Sequence, residues 1–95
     1  IMGGFDKGLD MSSVIQKSAE LKKIILLPGT GSDSIVAKGL TNFERVESLK
    51  EAIDKARSMA DAGDVVLLSP AFASFGLFKN EFDRGDQFDA IVKAI

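Results

Sequence analysis

Three hydrophobic runs along the chain are each followed by residues typical of turns. Residues 23–27 and 64–68 each contain four consecutive aliphatic side chains, and residues 1–2 lead directly into Gly3 and Gly4. Unbroken apolar runs of this length are typical of strands covered on both faces, as in the parallel sheets of α/β domains. The pattern therefore predicts strands at residues 23–27 and 64–68, the second of them central. Residues 1–2 are predicted to end a strand whose earlier part lies upstream.

Helical periodicity between these runs predicts five helices. The clearest spans residues 48–62, where Ser48 and Glu51 form a capping box ahead of an apolar face. A helix starting at Ser12 or Ser13 is expected to reach residue 21, and a short one, capped by one of residues 30–33, ends near Gly39. Another short helix is predicted at residues 75–82. After a break at residues 84–85 comes a last helix, with a predicted buried face of Phe88, Ile91, Val92 and Ile95.

Residues 43–46 are interrupted by two charged side chains and are predicted to form a short edge strand. The resulting order, β-α-β-α-β-α-β-α, predicts a three-layer α/β/α Rossmann-like domain with a mostly parallel sheet and right-handed crossovers. A chain of 95 residues has room for one domain, covering residues 1–95. The chain begins with Ile1 rather than methionine, and we expect an N-terminally truncated piece of a longer protein.

Composition narrows the chemistry that this domain can perform. The 12 basic and 14 acidic residues give a net charge of −2 without a basic stripe, so nucleic acid is not an expected partner. No apolar segment approaches the roughly 20 residues that span a bilayer, and no membrane association is expected. Cysteine and histidine are both absent, which excludes disulfides, thiol nucleophiles, Ser-His triads and the usual zinc ligand sets.

A glycine-rich turn at residues 28–33 separates a predicted strand from a predicted helix. A dinucleotide fingerprint would have a third glycine where Ser34 stands, and a phosphate-binding P-loop would end in a GK[ST] sequence that is missing here. The pattern favours a turn and helix cap over the nucleotide site of an oxidoreductase.

Two polar side chains follow predicted neighbouring strands and are candidates for binding an anion. Ser74 precedes the predicted helix at Phe75, where it would either cap that helix or join its free N–H groups in binding a carboxylate or phosphate. Lys7 follows the Gly3-Gly4 turn, where it is either a solvated surface charge or the partner of an anion at Ser74.

Two longer motifs resemble a known family. Residues 67–88 resemble the end of the third domain of Mur ligases. They carry the pattern S-P-A-x-A-S followed by F-K-N-F-x-x-R-G-x-x-F, with Glu81 inserted before Phe82. The similarity is greatest to the members that add D-glutamate. Residues 3–10 resemble the family's G-G-x-x-K-x-x-D turn. The two motifs bracket nearly the whole chain in the expected order.

This resemblance implies a cytoplasmic, ATP-dependent ligase of peptidoglycan synthesis. In that family, ATP converts the carboxylate of UDP-N-acetylmuramoyl-L-alanine into an acyl phosphate, which the amine of D-glutamate then attacks. The matched motifs imply that Lys7 and Ser74 bind carboxylate oxygens of D-glutamate, that the backbone around Phe82 assists, and that Phe75 lines the pocket. They imply neither a catalytic residue nor a metal ligand in this chain.

The resemblance also implies that this domain acts together with other parts of a longer chain. ATP and magnesium would be bound mainly by a central domain and the UDP group by an N-terminal one, in a full-length protein expected to be a monomer. The isolated chain is accordingly expected to be inactive and to bind D-glutamate weakly at most. The alternative is a stand-alone Rossmann-like anion-binding or interaction module without catalysis.

Overall fold

The computed structural model describes residues 1–4, 8, 10–68 and 78–94. Within these ranges the chain forms four helices and two strands. In chain order they are α1 (Ser12–Ser18), β1 (Ile24–Leu26), α2 (Thr30–Ala37), β2 (Phe43–Arg45), α3 (Leu49–Met59) and α4 (Glu81–Lys93). The predicted α/β class is confirmed.

The two strands pair in parallel, with Ile24 opposite Phe43 and Leu26 opposite Arg45. Met2 forms a further parallel bridge to Leu26, on the side of β1 away from β2. The predicted strand end at residues 1–2 is therefore paired, and among the described residues β2 lies at the edge of the sheet, as its charged residues indicated.

Helices cover both faces of β1, which gives the predicted three layers. Ile24 and Leu26 contribute to one hydrophobic cluster with α1 and α2, whose members are Met2, Met11, Ile24, Leu26, Ile35 and Leu40. Ile25 and Leu27 contribute to the opposite cluster with α3, and α4 packs against that cluster through Phe88 and Ile91. Successive strand residues point to opposite faces, so a run of four apolar residues supplies both clusters.

Helix α3 begins as its capping box predicts, whereas two other helix starts differ from the prediction. The Ser48 hydroxyl accepts the Glu51 N–H at 3.1 Å. Neither Ser12 nor Ser13 caps α1, because Met11 occupies the N-cap position and has no side-chain cap bond. Likewise none of residues 30–33 caps α2, since its N-cap residue is Gly29.

The prediction of a buried central strand at residues 64–68 is wrong for this structure. No strand is formed there, and the Val65 and Leu67 side chains are 79% and 65% exposed. The physical reason is a lack of backbone partners. The neighbour of this segment is Ile1, whose N-terminal nitrogen donates to the Leu67 carbonyl at 2.7 Å, and one hydrogen bond does not order a strand.

The C-terminal part also differs, because one helix replaces the predicted break at residues 84–85. The Asn80 side chain accepts the Asp83 N–H at 2.8 Å and the Asp83 carboxylate accepts the Lys79 N–H at 3.0 Å. This reciprocal cap starts α4 at Glu81, and the helix then continues through Gly85. A single glycine costs about 1 kcal/mol in a helix interior, which capping and packing against α3 offset.

Two further predictions concern the C-terminal segment. Of the predicted buried face of the last helix, Phe88 and Ile91 pack against the core, Val92 is exposed, and Ile95 lies outside the described residues. Most of the short helix predicted at residues 75–82 also lies outside them. In the described part of the chain no helix has the length and apolar character needed to span a bilayer.

Candidate functional site

Of the residues predicted to bind D-glutamate, one lies within the described part of the chain. Lys7, Ser74 and Phe75 fall in residues 5–7 and 69–77, which are outside it, whereas Phe82 lies in the first turn of α4. The structure therefore defines the segments that lead into and out of these two stretches.

The segment before Lys7 is fixed by a close crossing of two glycine turns. The Gly4 carbonyl accepts the Gly31 N–H at 2.7 Å, which joins this segment to the first turn of α2. Gly29 has φ 147°, and a side chain there would collide with the Gly4 carbonyl. A side chain at Gly3 would meet the Leu27 carbonyl oxygen at 2.7 Å. Glycine is required at both positions because the two backbones approach each other without room for a Cβ atom.

A buried hydroxyl supports the same crossing. Ser32, in the first turn of α2, is fully buried, and its hydroxyl donates to the Leu27 carbonyl at the end of β1. This bond satisfies a polar group that would otherwise be costly in the core. It also fixes the start of α2 against the carboxyl end of β1. No local sequence pattern indicated this role for Ser32.

These contacts bear on the glycine-rich turn at residues 28–33. A dinucleotide site needs backbone N–H groups that face a phosphate at the helix N-terminus. In this structure the Gly31 N–H donates to the Gly4 carbonyl and the Asp33 N–H donates to the Gly29 carbonyl at 3.1 Å. The turn therefore packs against its own chain, which supports the structural interpretation of the sequence.

The segment after Lys7 is anchored by Asp10. Its carboxylate accepts the Ser12 N–H at 2.9 Å, which satisfies a free donor at the start of α1. This hydrogen bond from the Ser12 backbone, followed by one from the Ser12 side chain, lowers the pKa of Asp10. The next residue, Met11, is buried in the core. Asp10 is the last residue of the G-G-x-x-K-x-x-D motif, so its place in the motif was the signal that could have indicated this anchoring role.

The segment after Ser74 is anchored by Phe78 and by the cap of α4. Phe78 packs against the hydrophobic cluster under α3, and Asn80 caps the helix through Asp83. The N-x-x-D spacing of these two residues is a capping signal that could have indicated this helix start. Two residues beyond the cap residue, the Phe82 side chain is 74% exposed.

The charges around Phe82 are mixed. Glu81 and Asp83 are both acidic and lie in the first turn of α4, where they oppose the binding of an anion. The Lys79 N–H, and then Gln87, hold the pKa of Asp83 below its ordinary value, so it is ionised at neutral pH. The Phe82 N–H lies ahead of the first intrahelical hydrogen bond, which runs from the Arg84 N–H to the Asn80 carbonyl at 3.1 Å. A ligand carboxylate that accepted this N–H would therefore lie close to the carboxylates of Glu81 and Asp83, which oppose its binding.

Arg84 follows Phe82 in the R-G part of the motif and is partly buried. Burial lowers the pKa of its guanidinium, while the charge of Glu81 acts in the opposite direction. A guanidinium stays protonated in proteins even after such a shift. It therefore supplies a positive charge next to the acidic first turn of α4.

The described residues do not provide a metal centre, since they contain no cluster of three or more acidic, histidine or cysteine side chains with suitable spacing. In the glycine-rich turn the Gly31 and Asp33 N–H groups already donate to carbonyl oxygens, and at the start of α4 the Asp83 N–H donates to the Asn80 side chain.

Comparison with known proteins gives a consistent result over the whole chain. No protein-family model matches it. A UDP-N-acetylmuramoylalanine--D-glutamate ligase of Pseudomonas fluorescens is 43% identical over 97 residues, covering 100% of this chain. Ligases of the same name from Borreliella afzelii and Caldicellulosiruptor saccharolyticus are 42% and 41% identical and cover 97% and 100% of the chain.

The chain corresponds to only a part of these relatives. It spans 22%, 21% and 22% of their respective lengths, or about a fifth of each protein. The matched part is their C-terminal region, in agreement with the two motifs that bracket the sequence. By this similarity, and by its α/β fold, the chain belongs to the Mur ligase family, as a counterpart of the C-terminal part of its D-glutamate ligases.

Proposed function

We propose that residues 1–95 form the amino-acid-binding C-terminal domain of a longer ligase that joins D-glutamate to UDP-N-acetylmuramoyl-L-alanine. The observation that carries this proposal is the identity of about 40% to D-glutamate ligases along the full length of the chain. The longer protein would be a cytoplasmic enzyme of peptidoglycan synthesis. The domain would hold the incoming amino acid and close over the rest of the active site.

In this proposal Lys7 and Ser74 bind carboxylate oxygens of D-glutamate, Phe75 lines the pocket, and the Phe82 backbone assists. Support comes from the fixed ends of the two stretches that carry these residues. Gly4 and Asp10 anchor the stretch around Lys7, while Phe78 and Asn80 anchor the end of the other.

The chemical contribution of such a domain is positioning. The amine of D-glutamate would attack an acyl phosphate formed from ATP, with phosphate as the leaving group. Holding an amine next to an electrophile can lower the barrier by about 7 to 11 kcal/mol. ATP and magnesium would be bound mainly by other parts of the longer enzyme, as the resemblance to Mur ligases implies. The isolated domain would then form no amide bond.

The test measures amide formation by the full-length ligase with D-glutamate and with L-glutamate. We expect Lys7→Ala and Ser74→Ala each to raise the KM for D-glutamate at least tenfold while leaving the KM for ATP within about twofold, because removing a charge-assisted hydrogen bond costs about 1.5 to 3 kcal/mol. Lys17→Ala is the matched control, since Lys17 is an exposed lysine on α1. Unchanged KM values in both site variants, or amide formation by residues 1–95 alone, would contradict the proposal.

A further inference from the structure

Two polar side chains are buried among the described residues, and both are serines. Ser32 is 0% exposed and Ser18 is 6% exposed. The Ser18 hydroxyl donates to the Ile15 carbonyl, so its bond stays within α1. The Ser32 hydroxyl reaches outside α2 and donates to the Leu27 carbonyl at the end of β1. Burying a hydroxyl is costly unless it is hydrogen-bonded, and the bond of Ser32 joins two different elements.

The Ser32 hydroxyl also lies against the Gly3-Gly4 turn. A Cβ atom added at Gly3 would come within 2.5 Å of the Ser32 hydroxyl oxygen and within 2.7 Å of the Leu27 carbonyl oxygen. The hydroxyl and the carbonyl that it binds therefore pack directly against the Gly3 backbone. Gly3 has φ 126°, a conformation that other residues rarely adopt, so a side chain at this position cannot fill the space left by a smaller residue 32.

Two backbone hydrogen bonds hold the same turn. The Leu27 N–H donates to the Met2 carbonyl at 2.7 Å, and the Gly31 N–H donates to the Gly4 carbonyl at 2.7 Å. One donor belongs to the residue that Ser32 binds, and the other belongs to the residue before Ser32. Both bonds keep their geometry only while the first turn of α2 stays in place against the end of β1. The Ser32 hydroxyl makes that connection.

The turn is close in sequence to Lys7. Because Lys7 is three residues beyond Gly4, their Cα atoms are at most about 11 Å apart. A shift of the Gly4 backbone therefore moves the point from which the segment with Lys7 starts. Hydrogen bonds weaken steeply outside a narrow range of distance and angle. An ammonium that binds a carboxylate thus depends on the backbone that supports it.

We propose that Ser32 is a positioning residue for D-glutamate binding, because it holds the Gly3-Gly4 turn from which Lys7 reaches a carboxylate of the amino acid. This inference rests on the proposed function, since it requires that Lys7 binds D-glutamate. Ser32 has no exposed surface and does not touch the ligand itself. Its effect is therefore on the affinity for D-glutamate, and the affinity for ATP is independent of it.

The experiment measures amide formation by the full-length ligase and compares Ser32→Ala with Ser18→Ala. Each change removes one buried hydroxyl, but the bond of Ser18 stays within α1. We expect Ser32→Ala to raise the KM for D-glutamate about fivefold or more, with kcat and the KM for ATP within about twofold. Ser18→Ala should leave all three within about twofold. Thermal unfolding of both variants reports the loss of stability, which a purely structural role would not convert into a selective change in KM.

A double variant shows whether Ser32 acts through Lys7. In a Lys7→Ala background, Ser32→Ala should raise the KM for D-glutamate less than about twofold, because the group that it positions is gone. Independent, multiplying effects would overturn the proposal. An unchanged KM in Ser32→Ala, or an equal rise in Ser18→Ala, would also overturn it.

The Lys7→Ala variant separates this inference from the proposed function. An unchanged KM for D-glutamate in Lys7→Ala would contradict the proposed D-glutamate site itself. A raised KM in Lys7→Ala together with an unchanged KM in Ser32→Ala would contradict only the positioning role.

A second substitution covers the case in which Ser32→Ala does not fold. Ser32→Cys keeps a side chain of similar shape, but its thiol is a weaker donor and its sulfur is larger. We expect this variant to fold, with the circular dichroism of the parent, and to raise the KM for D-glutamate about two- to fivefold. A KM equal to that of the parent would overturn the proposal.

Discussion

The aliphatic runs at residues 24–27 and 65–68 are similar in composition and differ in their surroundings. All four residues of the first run are 1–4% exposed, whereas Val65 and Leu67 of the second are mostly exposed. The first run has β2 on one side and Met2 on the other, with helices on both faces. The second has a single described backbone bond to Ile1. Burial of an apolar run thus depends on neighbours that the run itself does not encode.

Replacing a leucine by alanine should give the largest difference in stability between the two runs. Leu26→Ala removes a side chain that is 1% exposed and should destabilise the domain by about 2–5 kcal/mol, because it leaves a cavity between β1 and the helices. Leu67→Ala is the matched change in the exposed run and should cost about 0.5 kcal/mol or less. Urea denaturation of both variants measures the difference. Similar losses would mean that residues 64–68 are buried in solution.

The turns next to the two runs should also respond differently. Gly29→Ala, after the buried run, forces a left-handed φ on alanine and drives its Cβ into the Gly4 carbonyl, so we expect a loss of about 3 kcal/mol. Gly63→Ala, before the exposed run, introduces strain in φ but no collision, because nothing lies within 4 Å of the added Cβ atom. It should lower the stability by about 1–2 kcal/mol. Thermal unfolding of the two variants tests this order. Equal shifts in Tm would argue against the glycine crossing.

A smaller effect is expected from the ion pairs that hold the start of the exposed run. Lys22 contacts the carboxylates of Asp61 and Asp64 at 2.8 and 2.7 Å. The Lys22 ammonium, and then the Asp61 N–H, hold the pKa of Asp64 below its ordinary value of 3.8. Lys22→Gln should therefore raise the pKa of Asp64, which a carboxyl NMR titration would detect. Lys17→Gln, which breaks the exposed ion pair between Lys17 of α1 and Glu20 beyond its end, should leave the pKa of Asp64 unchanged.

The stability effect of Lys22→Gln should depend on pH in a defined window. A lowered carboxyl pKa adds stability that is present above about pH 4 and is lost as the pH falls through the folded value. The pKa of Lys22 is raised by the same contacts, so its contribution is present below pH 10.5 and disappears as the pH rises through the folded value. Urea midpoints of parent and variant should differ at pH 7 and converge as the pH falls through the lowered pKa of Asp64. A difference between the urea midpoints that does not change with pH would contradict a stabilising role for the Lys22 ion pairs.

Local patterns were sufficient to predict most of the fold. The capping box of α3, the apolar run of β1 and the charged edge strand β2 are determined by residues close in sequence, and all three are confirmed. The strand at residues 64–68 was not predictable in the same way, because its state depends on a partner more than 60 residues away. The break expected at Gly85 failed because glycine alone does not end a helix that Asn80 caps and α3 supports.

The motifs of the candidate site were predictable from the sequence, whereas the residues that hold the neighbouring segments in place were less predictable. Lys7, Ser74 and Phe75 stay predictions, as they lie outside the described residues. The anchoring roles of Asp10 and Asn80 follow from hydrogen bonds to nearby N–H groups, and their spacing carried a weak signal. The buried hydroxyl of Ser32 gave no such signal, since its acceptor, the Leu27 carbonyl, is defined by the packing of α2 on β1.

The crossing of Gly4 over Gly29 has a consequence for how this sequence can change. Residues 3, 4, 29, 31 and 32 lie close together, because Gly31 bonds to Gly4, Ser32 bonds to Leu27, and added Cβ atoms at Gly3 and Gly29 would collide with Ser32 and Gly4. A larger residue at one of these positions can be accepted only if the backbone moves at another. We therefore expect these five positions to vary together rather than singly, and a redesign of either turn to succeed only when both are replaced as a unit.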